Sequence, residues 1–390
     1  MADPLRVMAV FGTRPDAIKM APVVRALESR REIQPIVCVT AQHRHMLDEL
    51  VRLFAIQTDY DLDVMTPDQT LTTITTRVLN GMEAIFEDAR PDVVLVHGDT
   101  TTGTAAALAS FYRQIPVGHV EAGLRTDDPF LPYPEEMNRR ITGRIASFHF
   151  APTELAREHL LREHIDPASI IVTGNTVIDA FLATAENPRL PSPPCWSEIE
   201  AARPLIVVTA HRRENRTYMR AICTALREIA ELPSRPQIYW PVHPSPHVRP
   251  IAHEMLDDVP GIVLVEPIGY AHMVAAIKQC TFVLTDSGGL QEEAPCLGKP
   301  VLVMRDETER PEGLQAGTLD LVGHDRNRIV AAAARMLSDD AHYARMARAV
   351  NPYGDGHASE RITQWLLARL RGQRYPDPFV LHAPAHERAS

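Results

Sequence analysis

The sequence predicts an α/β protein with two Rossmann-like domains, and three observations carry that reading. Short Val- and Ile-rich runs alternate with amphipathic stretches, the pattern of a parallel sheet covered by helices. The alternation stops at a proline-rich segment and then restarts. The chain is 390 residues long, more than one domain usually takes, so two domains with a ligand cleft between them are expected.

In the first half the predicted strands are Leu5 to Val10, Pro35 to Val39, Asp92 to Val96, Pro116 to Val120 and Ser169 to Thr173. A helix follows Thr176. In NPRLPSPPCW, residues 187 to 196, Pro188, Pro191, Pro193 and Pro194 exclude both helix interior and central strand. The first domain is therefore placed at 1–186 and the linker at 187–204. A second domain, 205–357, has predicted strands at Leu205 to Thr209, Gln237 to Trp240, Ile262 to Val265, Thr281 to Thr285 and Pro300 to Met304. A last helix is expected over 358–372, packing back on the first domain. The Pro-, His- and Ala-rich tail, 373–390, offers little to bury and is expected to be loose.

Composition excludes several functions. With 40 Lys and Arg against 50 Asp and Glu, the net charge of −10 opposes general attraction to nucleic acid or anionic membranes. Five cysteines without C-x-x-C spacing indicate neither a disulfide framework nor a zinc site. MADPLRVMAVFG has too short an apolar run for a signal peptide, and no stretch of about 18 apolar residues occurs. A cytoplasmic protein is expected, with no nucleic-acid or membrane partner.

In an open α/β sheet the carboxyl ends of the strands border the ligand crevice. The first strand runs into FGTRPDAIKMAP, where Gly12 turns the chain and Arg14 and Lys19 follow. The turn lacks G-x-G-x-x-G and Walker spacing, which weighs against a dinucleotide or ATP. Arg14 and Lys19 can neutralise a diphosphate or stand as two solvated cations. In PDVVLVHGDTTTGTAAALA, Asp99 faces the crevice or caps the following helix. VGHVEAGLRT puts Glu121 on the same edge. There it pairs with Asp99, so that one carboxyl holds a proton for acid–base chemistry, or it pairs with Arg125. YPEEMNRRITGR spaces Glu135 to Arg139 and Glu136 to Arg140 as i to i+4 helix pairs.

In the second half, PLIVVTAHRREN brings His211, Arg212 and Arg213 off a strand end, the arginines suited to phosphate. FVLTDSGGLQEEAP lets Ser287, Gly288 and Gly289 offer backbone N–H groups to a phosphate, with Glu293 suited to a ribose diol. Arg310 lies in the charged MRDETERPE stretch.

These motifs, with TAQHR, HGDTTT, PEEMNR and GNTVIDA, run in order from about Phe11 to Arg310, and the sequence resembles the non-hydrolysing UDP-N-acetylglucosamine 2-epimerase family. The resemblance implies two Rossmann-like domains in the GT-B arrangement, usually a homodimer, and no cofactor or metal. It implies interconversion of UDP-GlcNAc and UDP-ManNAc through elimination of UDP to 2-acetamidoglucal and re-addition. It assigns Asp99, Glu121, Glu135 and His211 to catalysis. Arg14, Lys19, Arg139, Ser287, Gly288, Gly289, Glu293 and Arg310 become contacts to substrate or UDP. Gln42, Gln69, Glu136, Arg212 and His243 match an activating second UDP-GlcNAc site. Met273 stands where the family has a larger aromatic near the uracil. The rival readings are a hydrolysing relative releasing ManNAc and UDP, in which an added kinase domain would be expected and which product analysis separates from the non-hydrolysing type, a GT-B glycosyltransferase, and a nucleotide-sugar sensor without turnover.

Overall fold

The computed structural model describes residues 3–40, 44–66, 69–126 and 128–381. By its contacts the chain divides into two compact units. The first runs to Ala180 and takes in Gly354–Val380; the second spans Phe181–Tyr353.

The first unit contains β1 (Leu5–Phe11), α1 (Arg14–Glu28), β2 (Ile33–Val39), α2 (Arg44–Leu53), β3 (Tyr60–Asp61), α3 (Leu71–Ala89) and β4 (Val93–His97). There follow α4 (Thr101–Tyr112), β5 (Val117–Val120), α5 (Glu135–Ile145), β6 (Phe148–Ala151), α6 (Glu154–Arg162), β7 (Ile170–Val172) and the first half of α7 (Thr176–Ala185), whose residues from Phe181 on fall in the second unit. The seven strands of the first unit are all parallel, in the order β3-β2-β1-β4-β5-β6-β7.

The second unit contains β8 (Leu205–Thr209), α8 (Met219–Ala230), β9 (Gln237–Pro241), α9 (Arg249–Leu256), β10 (Ile262–Val265), α10 (Tyr270–Gln279) and β11 (Phe282–Thr285). It continues through α11 (Gly288–Glu293), β12 (Val301–Val303), α12 (Pro311–Ala316), β13 (Leu319–Leu321), α13 (Arg326–Ser338) and α14 (Asp340–Ala347). Its parallel sheet is ordered β10-β9-β8-β11-β12-β13.

Both sheets thus start in the middle, build outward to one edge, and restart beside the first strand. This is the doubly wound order, whose reversal point opens a crevice at the strand carboxyl ends. The reversal falls between β1 and β4 in the first sheet and between β8 and β11 in the second. Strand alternation buries both faces of each sheet. In β8, Leu205 and Val207 enter one core cluster with Tyr239 and Val283, while Ile206 and Val208 enter the other with Trp240 and Leu284.

All ten strands read from the sequence are present, and three more exist. The β6 strand, FHFA, carries a histidine that breaks the apolar run; His149 is buried and bonded through Nε2 to the Gly143 carbonyl at 2.8 Å. The other two, β3 and β13, are two- and three-residue edge strands too short to give a pattern.

The last helix, α15 (Ala358–Arg371), belongs to the first unit. Its first turn is held by buried Asp179 of α7, which accepts from the backbone N–H groups of Ser359 at 2.7 Å and Ala358 at 3.2 Å. Trp365 then packs edge-on to Phe148 and Phe150, an arrangement aromatic rings prefer. The described part of the tail is docked rather than loose. Phe379 is buried, donates its N–H to the Val172 carbonyl at 2.8 Å, and lies beneath the Arg361 guanidinium. One buried aromatic and one backbone bond order a stretch whose composition alone points to disorder. Among the described residues no helix is long and apolar enough to cross a membrane.

Candidate active site

The site residues of the first unit gather where its strand order reverses. Helix α1 begins with a capping box: Thr13 Oγ1 accepts from the Asp16 N–H, and Asp16 Oδ2 accepts from the Thr13 N–H, which fixes the Asp16 side chain. Gly12 serves close approach, since a Cβ there would meet Thr40 Oγ1 at 1.8 Å. Arg14 is exposed at the first residue of α1.

One turn past Asp16, Lys19 forms a short ion pair with Glu121. Glu121 ends β5 in the left-handed region, φ 63°, and is 7% exposed. Its Oε1 also accepts from Asn175 Nδ2 at 2.9 Å, and its Oε2 lies 3.3 Å from His97 Nε2. The other ring nitrogen of His97 meets Asp16 Oδ1 at 3.1 Å. Burial alone would raise the Glu121 carboxyl, but Lys19 and His97 hold it well below the usual carboxylate range. Burial pulls His97 down, and Glu121 and Asp16 reverse this, pushing it up to about 9.

The expected carboxylate pair, with one carboxyl held protonated by its neighbour, is therefore corrected: each carboxylate has its own cation. Asp99 Oδ2 receives Arg139 Nε at 2.9 Å and Arg139 Nη2 at 2.7 Å, and the Asp99 carbonyl accepts from Asn138 at 2.9 Å. Asp99 does not cap α4 either; Thr100 does, accepting from the Gly103 N–H at 3.2 Å. Nor does Arg125 bind Glu121, because it forks onto Glu163 at 2.7 and 2.9 Å. Lys19, expected on a diphosphate, is engaged by Glu121.

Helix α5 supplies the rest. Glu136, not Glu135, is the helix's internal anchor: fully buried, it accepts from Arg140 Nε at 2.8 Å and the Thr126 N–H at 3.1 Å, and lies 3.5 Å from Arg139 Nη1. Glu135 stands free of the anticipated Arg139 pair, with a buried Oε2 that has no hydrogen-bond partner among the described residues. Gly98, φ 56°, separates His97 from Asp99 and brings the backbone to 3.3 Å of Glu121 Oε2, measured from the Cβ it lacks. His119, kept neutral by burial that pulls it down to about 3, holds this turn through Nε2 and the Gly98 carbonyl at 2.7 Å. Glu121, Asp99 and α5 thus follow one another along the sheet's carboxyl edge.

His97 gives this cluster a pH signature. Its value is raised on folding, so its stabilisation is complete below about 6.5 and is lost as pH rises through about 9. The thermal midpoint of the first unit should fall by several degrees between those limits, as followed by circular dichroism, while His97→Gln should flatten that slope. A midpoint constant across the window would show that His97 gains no proton on folding.

In the second unit the organising residue is Asp286, fully buried at the end of β11. Its Oδ2 accepts from the His211 N–H at 2.7 Å, the Arg212 N–H at 2.8 Å and Asn215 Nδ2 at 2.9 Å, while Oδ1 lies 3.2 Å from His211 Nδ1. Half-buried His211 also stacks on His243 at 5.6 Å between centroids. Ser287 occupies the N-cap position of α11 without a side-chain cap bond, and the position a Gly288 Cβ would take is 3.5 Å from Arg212 Nη2. The Arg212 Nε is buried without a hydrogen-bond partner among the described residues. The Ser287 N–H, expected on a phosphate, is instead donated to Thr285 Oγ1 at 2.9 Å; a cation, the glycines that open α11 and an imidazole adjoin one another, a combination suited to an anion. A Cβ on Gly289 would lie 3.7 Å from Glu293 Oε2, and Glu293 is 9% exposed. Arg310 is tied by Nε to buried Glu292. Met273 packs on the core below β8 and β11. Gln69 accepts from the Thr66 N–H at 3.1 Å, and Gln42 lies outside the described residues.

Sequence reasoning missed Asp16, His97, Asn175, Asp286 and Glu292. His97 and Asp286 carried a signal, since both stand at a strand's carboxyl end beside residues already singled out. Asp16, Asn175 and Glu292 carried none, because their partners are distant in sequence.

Two doubly wound units, each with charged groups collected at its own reversal point, define a double-Rossmann α/β protein. A model of the UDP-N-acetylglucosamine 2-epimerase family matches residues 25–367. A UDP-N-acetylglucosamine 2-epimerase of Salmonella typhimurium is 52% identical over 369 residues, covering 93% of this chain and 98% of its own. A crystal structure of a putative UDP-N-acetylglucosamine 2-epimerase from Listeria monocytogenes is 45% identical with a TM-score of 0.92, covering 97% of this chain and 100% of that one. The UDP-GlcNAc 2-epimerase of Neisseria meningitidis bound to UDP-GlcNAc is 45% identical with a TM-score of 0.84, covering 93% of this chain and 100% of its own. The chain belongs to the UDP-N-acetylglucosamine 2-epimerase family.

Proposed function

We propose that the chain interconverts UDP-GlcNAc and UDP-ManNAc without hydrolysis, by anti elimination of UDP to 2-acetamidoglucal and re-addition of UDP after the proton returns to the other face of C2. The observation that carries this is the row of carboxylates along one sheet edge, Glu121, Asp99 and Glu135, each in a different setting. Glu121 is clamped between cations, Asp99 is paired with Arg139 at 24% side-chain exposure, and Glu135 has a buried, unpartnered oxygen.

Removing a weakly acidic C2 proton and replacing it on the opposite face calls for more than one carboxyl group, and each well-placed base contributes about 10²–10⁴-fold. Loss of the diphosphate calls for fixed positive and donor groups instead. His211, Arg212, the Ser287 hydroxyl and the backbone at Gly288 and Gly289 supply them, with Asp286 orienting the imidazole. Glu293 takes the ribose, and Arg14, Arg139 and Arg310 complete the contacts to the substrate. Lys19 acts through Glu121. The working assembly is a homodimer, and Gln42, Gln69, Glu136, Arg212 and His243 remain the candidate surroundings of an activating second nucleotide sugar. Among them, Glu136 acts by holding Arg139 and Arg140, since both its oxygens are occupied.

Incubating the protein with UDP-GlcNAc in D₂O with chelator present, and following the products by proton NMR, tests these steps together. UDP-ManNAc carrying deuterium at C2 is expected. Free ManNAc with UDP would place the chain with the hydrolysing enzymes. Unchanged, undeuterated substrate would overturn the reading for this sugar, and turnover only without chelator would add a metal requirement.

A further inference from the structure

Asp16, His97, Glu121 and Lys19 form a closed ring of alternating charge. Asp16 and Lys19 stand three residues apart on α1, one turn of helix, and His97 and Glu121 reach them from the ends of β4 and β5. His97 hydrogen-bonds Asp16 Oδ1 through Nδ1 at 3.1 Å, and its Nε2 lies at ion-pair distance, 3.3 Å, from Glu121 Oε2 without the alignment of a hydrogen bond. A neutral imidazole has one N–H, so either tautomer would point a lone pair at a carboxylate. Asp16 is 2% and His97 4% exposed, which leaves no water to screen that contact. An imidazolium places positive charge between the two carboxylates. Glu121 Oε1 accepts from Lys19 and Asn175, and Oε2 lies in ion-pair contact with His97.

We propose that His97 is a positioning residue for the epimerisation, a fixed imidazolium that ties Glu121 to the capping box of α1 and keeps Glu121 a carboxylate throughout the cycle. The proposal rests on the reaction set out above, and it assigns Glu121 the part of a standing anion, leaving proton exchange with C2 to the less encumbered carboxylates. Protonating Glu121 would strip Lys19 and His97 of their partner at once in a site with little water, which is the cost that holds it ionised. The groups facing His97 are Asp16 and Lys19 from α1, Glu121 from the end of β5 and neutral His119 within β5.

The test compares wild type with His97→Gln, which keeps a donor but carries no charge, and with His97→Asn. The acid limb of the kcat profile should move up by about one pH unit or more in both variants, with KM changed less than about twofold and kcat recovering on the alkaline side. A merely structural histidine would lower kcat evenly at every pH and leave the limb in place, which would overturn the proposal. The ¹³C-carboxyl titration of Glu121, assigned by its loss in Glu121→Gln, reads the same shift without turnover. It therefore decides the role of His97 even if UDP-GlcNAc proves not to be the substrate. Should the variants fail to fold, ¹⁵N spectra of wild-type His97 must show a doubly protonated ring at pH 7; a neutral ring there would sink the idea.

Discussion

Glu135→Gln is expected to lower kcat by about 10²–10⁴-fold, the usual worth of a general acid or base, while leaving the melting temperature unchanged. The separation of the two effects follows from the geometry. The buried Oε2 has no hydrogen-bond partner among the described residues, so exchanging oxygen for an amide there breaks no hydrogen bond among them and leaves the shape of the side chain intact. Deuterium incorporation at C2 should fall in parallel with turnover, because the same group serves both. Asp99→Asn makes the contrast, since it weakens the bonds to Arg139 and should cost stability as well as rate. If Glu135→Gln turns over like wild type, Glu135 takes no part in proton transfer, and the exchange at C2 must run through Asp99 and a group other than Glu135.

Asp286→Ala is expected to destabilise the second unit by about 3–5 kcal/mol and to abolish most of the activity with it. The carboxylate is fully buried and collects three donors on one oxygen, the His211 and Arg212 N–H groups and Asn215 Nδ2. Each buried donor left without an acceptor costs about 1–3 kcal/mol, and the loop that carries His211 and Arg212 loses its only buried carboxylate anchor among these bonds. Asp286→Asn keeps one acceptor oxygen and should recover a large part of the stability. It should recover less of kcat, because an amide cannot favour a charged His211. Urea unfolding with kcat measured on the same samples checks both. Wild-type unfolding and turnover in Asp286→Ala would mean that the His211 loop is held by something other than this carboxylate.

Much of this was legible in the sequence for a physical reason. A strand in a doubly wound sheet is buried on both faces, so β1, β4, β8 and β11 appear as largely apolar runs, broken in β1 only by Arg6 near its start, and their carboxyl ends are where the chain turns polar. Arg14, Asp99, His211 and Ser287 could be placed at the crevice edge because that position depends only on local order along the chain. The same locality explains the strands that were missed. His149 interrupts β6 and is satisfied by the Gly143 carbonyl, and the two short edge strands are set by their neighbours rather than by their own residues.

Local patterns along the chain suffice for the fold class, the order of elements, the family, and which residues reach the strand ends. How the charges pair emerges only from the folded arrangement. Lys19 took Glu121 and not a free role, Arg139 took Asp99 and left Glu135 alone, Arg125 turned to Glu163, and His97 joined Asp16 to Glu121 across gaps of 81 and 24 positions in the chain. Apolar periodicity is a local property that burial imposes on every element. The choice of ion-pair partner depends on which side chains from distant elements meet within a few ångströms, and that distance exists only once both sheets have formed.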